Sequence, residues 1–274
     1  MSNFKRAGTV ISAALMLAIL VSCFSLPGLG SFNPLGDLQD RASARASGEL
    51  SSAIGLSGMT RQMMFNMLYA QIFFVGGFGA DLYDLAESQG TVWRIQSFDE
   101  DGRSEIVEAE RALLKRMPNG DGWWYLGWKS GGELWEFEAL MDRNLMAKKI
   151  RYYNDDVKRV EESVFEKASG AQQKTDNTPP AEAPSSGMDL KELGSYSRGK
   201  ETVRLGSGSY NAELYEWSFR DEEEKTSYSY KWWVDPKAPG GLVKFEWTKS
   251  GSKERFLGEL VSVKTTYKTK FNSY

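Results

Sequence analysis

From Gly90 to the C-terminus the chain repeats one pattern: short runs in which large apolar side chains alternate with polar ones. Trp93, Ile95 and Ser97 alternate with Arg94 and Gln96. Trp135, Phe137, Ala139 and Met141 alternate with Glu136, Glu138 and Leu140. Later, Tyr215, Trp217 and Phe219 share a face, as do Tyr228, Tyr230, Trp232 and Val234, and Val243, Phe245 and Trp247. A period of two is the signature of a strand with one buried face. Asp101-Gly102, Asn119-Gly120-Asp121-Gly122, Gly131-Gly132, Asp142-Arg143-Asn144 and Asn154-Asp155-Asp156 punctuate the first set and read as hairpin turns. The spacing predicts strands near 93–97, 104–116, 122–129, 133–141, 146–153 and 158–166. A second set is expected near 200–205, 211–220, 226–234, 242–248 and 254–267.

A sheet with an aromatic face must cover it. The single segment suited to that is 59–75, where Met63, Met67, Ala70 and Phe74 form one stripe and Met64, Leu68 and Ile72 lie beside it. Ser57 or Thr60 can cap it, and Gly76-Gly77 stops it. Arg61, Asn66 and Gln71 interrupt it as a membrane span. Residues 168–188 hold three of the eight prolines and no large apolar residue before Met188, which predicts a mobile loop. The expected fold class is therefore α+β, mostly antiparallel β. Two separate five-stranded domains are the alternative, but one of them would lack a helix.

The order of features from Val203 to Trp247 resembles the second half of domains in the LolA/LolB-like superfamily. Thr202-Val203-Arg204-Leu205 leads to Gly206–Tyr210. An acidic turn follows, then Tyr230-Lys231-Trp232-Trp233-Val234-Asp235-Pro236, and Ala238–Glu246 returns the chain. Asp235-Pro236 and Pro239-Gly240-Gly241 make a rigid wide turn without any appeal to a family. The resemblance covers about a quarter of the chain. It implies a curled half-barrel of about ten or eleven strands around an N-terminal helix, as one domain over 59–274. It also implies that the half-barrel holds a lipid or a lipoprotein acyl chain. The candidate lining is Trp93, Trp135, Phe137, Tyr215, Trp217, Tyr230 and Trp232, with the methionine-rich helix beside them. The same rings would serve equally as an ordinary filled core.

The N-terminus has a different logic. Lys5 and Arg6 precede an apolar run over 9–21, too short for a comfortable membrane span and built like a secretory signal. Leu20-Val21-Ser22-Cys23 resembles a bacterial lipobox, and Cys23 is the only cysteine, so no disulfide can form within the chain. That resemblance implies cleavage before Cys23 and acylation of it, an anchor made effectively permanent by about 0.8 kcal/mol per buried methylene. Residues 1–22 are the expected signal peptide and 23–58 a Ser-, Gly- and Ala-rich tether. Lys5 and Arg6 are the signal's only charges, so its loss takes the formal charge from −3 to −5. Phe24 stands where an Asp would favour inner-membrane retention, so an outer-membrane anchor facing the periplasm is expected.

Composition removes several chemistries. The chain has no histidine. Ser-His-Asp and Cys-His catalysis and His-ligated zinc therefore drop out. Mild acidity argues against nucleic acid. Asp99-Glu100-Asp101-Gly102 lacks the glycine that a calcium loop needs at its sixth position, which is Ser104. Gly77-Phe78-Gly79 and Gly206-Ser207-Gly208 lack the third glycine of a dinucleotide loop. No carboxylate pair is marked for glycoside hydrolysis. The expectation is a non-enzymatic, lipid-anchored envelope protein, with no metal and no cofactor, that binds a hydrophobic ligand and serves in outer-membrane lipoprotein sorting. The alternative is an interaction lipoprotein with a filled core that binds an envelope or host protein.

Overall fold

Eleven antiparallel strands form one curled, unclosed sheet in the order β6-β5-β4-β3-β2-β1-β11-β10-β9-β8-β7. The computed structural model describes residues 56–73, 75–77, 85–165, 194–221 and 225–274. The expected signal peptide, Cys23, nearly all of the tether and the loop at 168–188 lie outside them. The strands are β1 (Gln89–Phe98), β2 (Ser104–Arg116), β3 (Gly122–Ser130), β4 (Glu133–Met141), β5 (Ala147–Asn154) and β6 (Arg159–Val164). The second set is β7 (Ser197–Leu205), β8 (Gly208–Asp221), β9 (Thr226–Val234), β10 (Leu242–Lys249) and β11 (Arg255–Lys264). Helix α1 runs Leu56–Phe73 and a short 3-10 turn follows at Val75–Gly77.

The two sets are therefore halves of one sheet. Each is a meander built from local hairpins, and they join where β1 pairs with β11, Trp93 opposite Leu260. Among the described residues this gives the curled half-barrel that the sequence leads one to expect, with both sets in one sheet.

Helix α1 packs over β2 and β3 on the inner face. Its buried stripe is Phe65, Leu68, Tyr69, Ile72 and Phe73, the i, i+3, i+4, i+7, i+8 set of a helix against a sheet. Of the expected stripes, Leu68 and Ile72 lie in it and Met64 flanks it half-buried. Ser57 and Thr60 lie inside the helix and do not cap its start. At its other end Arg111 of β2, 2% exposed, donates Nη1 to Ile72 O at 3.0 Å and to Phe73 O at 2.5 Å. Those carbonyls have no partner within the helix, so a guanidinium there satisfies them and complements the negative end of the helix dipole.

The outer face carries a second, smaller apolar cluster: Ala112, Leu114, Trp123 and Tyr125, with Met117, Leu140 and Tyr267 packed on it. Its cover is the C-terminal segment. Residues 254–267 were expected as one strand, but β11 stops at Lys264, and 265–274 crosses the outer face as a strap. Tyr267 N donates to Ser88 O, and both Lys264 Nζ and the Tyr267 hydroxyl reach Glu110 of β2. The Lys270 ammonium pairs with Glu136 of β4. Glu138, 0% exposed, accepts from Thr269 Oγ1 at 2.7 Å, Lys270 N at 2.5 Å and Ser273 Oγ. Arg151 of β5 donates to the Phe271 and Asn272 carbonyls. A buried carboxylate met by three donors is a specific anchor, because any strap that failed to reach it would strand the charge.

Candidate functional site

The inner face falls into three regions, and the expected lining residues are spread over all of them. Under α1, Phe137 takes Phe65 edge-on at 5.5 Å and Tyr152 at 6.2 Å. Phe73 meets Trp124 edge-on at 5.3 Å. Trp135 lies beneath the Arg61 guanidinium, 4.5 Å from its ring centre, and Arg61 is itself paired with Asp155 at 3.2 Å. This region is filled by the helix, and Phe137 is fully buried in it.

The middle region is a wedge. Phe245 of β10 lies across β11 at Gly258, where a Cβ would come within 1.8 Å of its ring. On its other side is the turn after α1, where Gly76 has φ 66° and a Cβ would come within 2.5 Å of the same ring. Two glycines thus admit one aromatic side chain between a strand and a turn, at positions where any other residue would collide with it. Trp93 lies beside Phe245, ring centres 6.3 Å apart, and is fully buried.

The third region is on β8, β9 and β10. Register pairs Tyr215 with Trp232 and Trp217 with Tyr230. Trp217 and Tyr230 are 5.4 Å apart, and Tyr230 and Trp232 stack at 5.7 Å. Trp247 joins them through Tyr228 at 5.9 Å and Phe256 at 5.3 Å. Tyr215 and Trp217 are half-buried. Burial, then the nearby Glu213 carboxylate, raises the Tyr215 phenol above its usual pKa. Trp232 donates Nε1 to Gly76 O at 2.8 Å, which ties the cluster to the end of the helix.

Four of the seven expected residues therefore form one surface: Tyr215, Trp217, Tyr230 and Trp232. Trp93, Trp135 and Phe137 stand apart from it. Tyr228 and Trp247 belong with the four although they were left out of the expected set; both already lay on the faces that the alternation defines. Asp235 of the Trp232–Pro236 stretch is buried in its turn. It accepts from Asn211 N at 3.0 Å and Lys237 N at 2.9 Å, a structural role.

The polar residues of the inner face carry no pattern visible in the sequence. Thr91 sits directly opposite Arg111, and Trp93 is two residues along the same face. Thr91 Oγ1, Trp93 Nε1, Arg111 Nε and, from the helix, Gln71 Oε1 are buried without a hydrogen-bond partner among the described residues. Burial alone pulls the Arg111 guanidinium down to about 9, with no carboxylate near it.

No family model matches the chain, and no curated protein matches it. Solved structures similar to it include a Parabacteroides distasonis protein assigned as a lipoprotein, at TM-score 0.34 and 11% identity over 68% of this chain and 99% of that one. Another is a LolA superfamily protein from Nitrosomonas europaea, at TM-score 0.26 and 10% identity over 68% of this chain and 90% of that one. A third is the Pseudomonas aeruginosa MucA/MucB complex, at TM-score 0.34 and 11% identity, where 66% of this chain spans 53% of the matched one. Likeness at this level carries no argument about ligand or activity.

Proposed function

We propose that this chain is a bacterial envelope lipoprotein, anchored to the outer membrane through acylated Cys23 and facing the periplasm, whose half-barrel binds a lipid or a lipoprotein acyl chain. One observation carries the reading. Tyr215, Trp217, Tyr230 and Trp232 form a continuous aromatic surface on the inner face of β8 and β9, with Tyr215 and Trp217 half-buried. Helix α1 spends its own rings on β3 and β4. An acyl chain laid on that surface gains about 25 cal/mol for each Å² of apolar area removed from water. The lipobox-like Leu20–Cys23 supports the anchor, and sorting of lipoproteins is the role such a binding face fits.

The test is native mass spectrometry of the chain starting after Cys23, with extraction of whatever it carries. A stoichiometric lipid is expected, lost in Trp217→Ala and retained in Trp135→Ala, whose ring lies under Arg61 and away from the cluster. An unliganded mass, with no uptake from lipid vesicles, overturns the reading.

A second reading has its own observation. Val160 and Val164 on edge strand β6, with Tyr153 and Val157 beside them, are exposed large hydrophobic residues. They suit an interaction lipoprotein that binds an envelope or host protein, and an unliganded mass would favour it.

A further inference from the structure

Arg111 is a buried cation with no carboxylate partner among the described residues. Helix carbonyls take only its Nη1. Its Nε, the Trp93 indole N–H and the Thr91 hydroxyl are each buried without a hydrogen-bond partner among the described residues. All three sit on one face of two paired strands, Thr91 directly across from Arg111 and Trp93 one inward position away. Side chains directly opposite on an antiparallel pair have Cβ atoms about 4.5–5.5 Å apart, so Thr91 and Arg111 are neighbours. Buried donors left unpaired are destabilising, and a buried charge left uncompensated more so. Three buried donors on one face, beside a positive charge, complement an oxyanion. A neutral acceptor would leave the charge uncompensated. The location also suits a ligand in the half-barrel: from Trp93 the inner face continues through Phe245 to Trp232 and Tyr230.

We infer that Arg111, Thr91 and Trp93 are the head-group subsite of the proposed ligand, and that the ligand is a single-chain amphiphile with an anionic carboxylate or phosphate head. The inference rests on the reading of the half-barrel as a binding site. Head-group entry displaces the last turn of α1 from over Arg111.

The full chain is reconstituted in phosphatidylcholine nanodiscs and loaded with laurate labelled with 13C at the carboxyl carbon. A protein-bound carboxylate resonance is expected, separate from that of laurate in the bilayer. Dodecyl phosphate should displace it at a concentration about tenfold below that needed for monolaurin, the neutral glycerol ester of the same chain length. If dodecyl phosphate binds and laurate does not, the head is phosphate-specific and the subsite still stands. The double variant Thr91→Val/Trp93→Phe removes two donors; the first change keeps the side-chain shape, and the second keeps an aromatic ring while giving up the second ring of the indole. It should lower laurate occupancy about tenfold or more, while monolaurin binding is unchanged. Arg111→Lys, which keeps the charge and loses Nε, should weaken laurate in the same direction. If laurate, dodecyl phosphate and monolaurin bind equally, or if the anion preference survives in the double variant, the donors are satisfied by water and the inference fails while hydrophobic binding stands. If none of the three binds, the binding reading itself fails and this inference with it.

Discussion

The wedge at Phe245 gives a sharp test of how the two meanders are held around the helix. In Gly258→Ala the new methyl would stand 1.8 Å from Phe245 Cε1, 2.4 Å from Cζ and 2.5 Å from Cδ1. Carbon atoms prefer about 3.5–4.0 Å, so the ring must retreat by roughly 1.5–2 Å. It has nowhere to go. At Gly76, on its other side, a Cβ would already lie 2.5, 2.7 and 2.9 Å from the same ring. Overpacking of this kind destabilises by about 1–3 kcal/mol, and the trapped ring argues for the upper part of that range. Gly258 is not among the positive-φ residues, so Ala is tolerated by the backbone and recovers about 0.4–1 kcal/mol from the unfolded state. The net expectation is a loss of about 2 kcal/mol, which is a fall of about 4–8 °C in Tm for a domain of this size. Phe245→Leu should relieve the clash. The double variant should be at least about 1 kcal/mol more stable than the two single losses predict. Denaturant unfolding of the four proteins measures this. A neutral Gly258→Ala, or strictly additive losses, would refute the wedge.

Other expectations follow from the same geometry. Deleting residues 265–274 strands Glu138 without its three donors and uncovers Trp123 and Tyr125; a loss of about 3–5 kcal/mol in urea unfolding and new binding of an apolar dye are expected. Arg111→Met leaves the Ile72 and Phe73 carbonyls without that donor, so the last turn of α1 should exchange its amide protons faster, at a stability loss of about 1–3 kcal/mol. Burial first, then a hydrogen bond to Glu136 for Tyr125 and to Glu110 for Tyr267, raises both phenols well above the usual tyrosine range. Folding thus favours their protonated forms. That contribution is complete below the unfolded value of about 10 and is lost as pH rises beyond it. Stability should hold to about pH 9 and fall above about pH 10, and the fall should be shallower in Tyr125→Phe/Tyr267→Phe.

Most of the sheet was legible because alternation and turn chemistry are local. The expected runs 104–116, 133–141 and 226–234 coincide with β2, β4 and β9, and other strands differ by a few residues at their ends. Long-range facts were not legible. Nothing in residues 91–98 says that they pair with β11, because register between distant strands is set by the whole packed face rather than by either segment. The strap was missed for a related reason. Lys264 and Tyr267 read as the end of a continuing strand until Glu110 is known to lie beneath them, and nothing in the sequence marks Lys270 as the partner of Glu136 and Glu138. The turn after β4 follows the same rule. Asp142-Arg143-Asn144 marks a turn in the sequence, but the left-handed position falls on Leu145, with φ 58°, whose carbonyl receives the Tyr69 hydroxyl from the helix. Of the site, the aromatic residues on β8 and β9 could be read from period alone. Arg111, one basic residue in a charged strand, could not.

The pairing of the first strand with the last also sets the order of events as the chain emerges. Each meander can zip up by itself, hairpin after hairpin, on the timescale of local loop closure. The seam between them cannot form until β11 arrives, and until then β1 presents a bare edge carrying Trp93. In a chain delivered from its N-terminus, that edge is the last hydrogen-bonding surface to be silenced, and the strap that follows β11 closes over the outside only afterwards. Loss of the final twenty residues would therefore stall the molecule as two half-sheets with a sticky border. The defect would surface in vivo as aggregation or proteolysis before folding is complete.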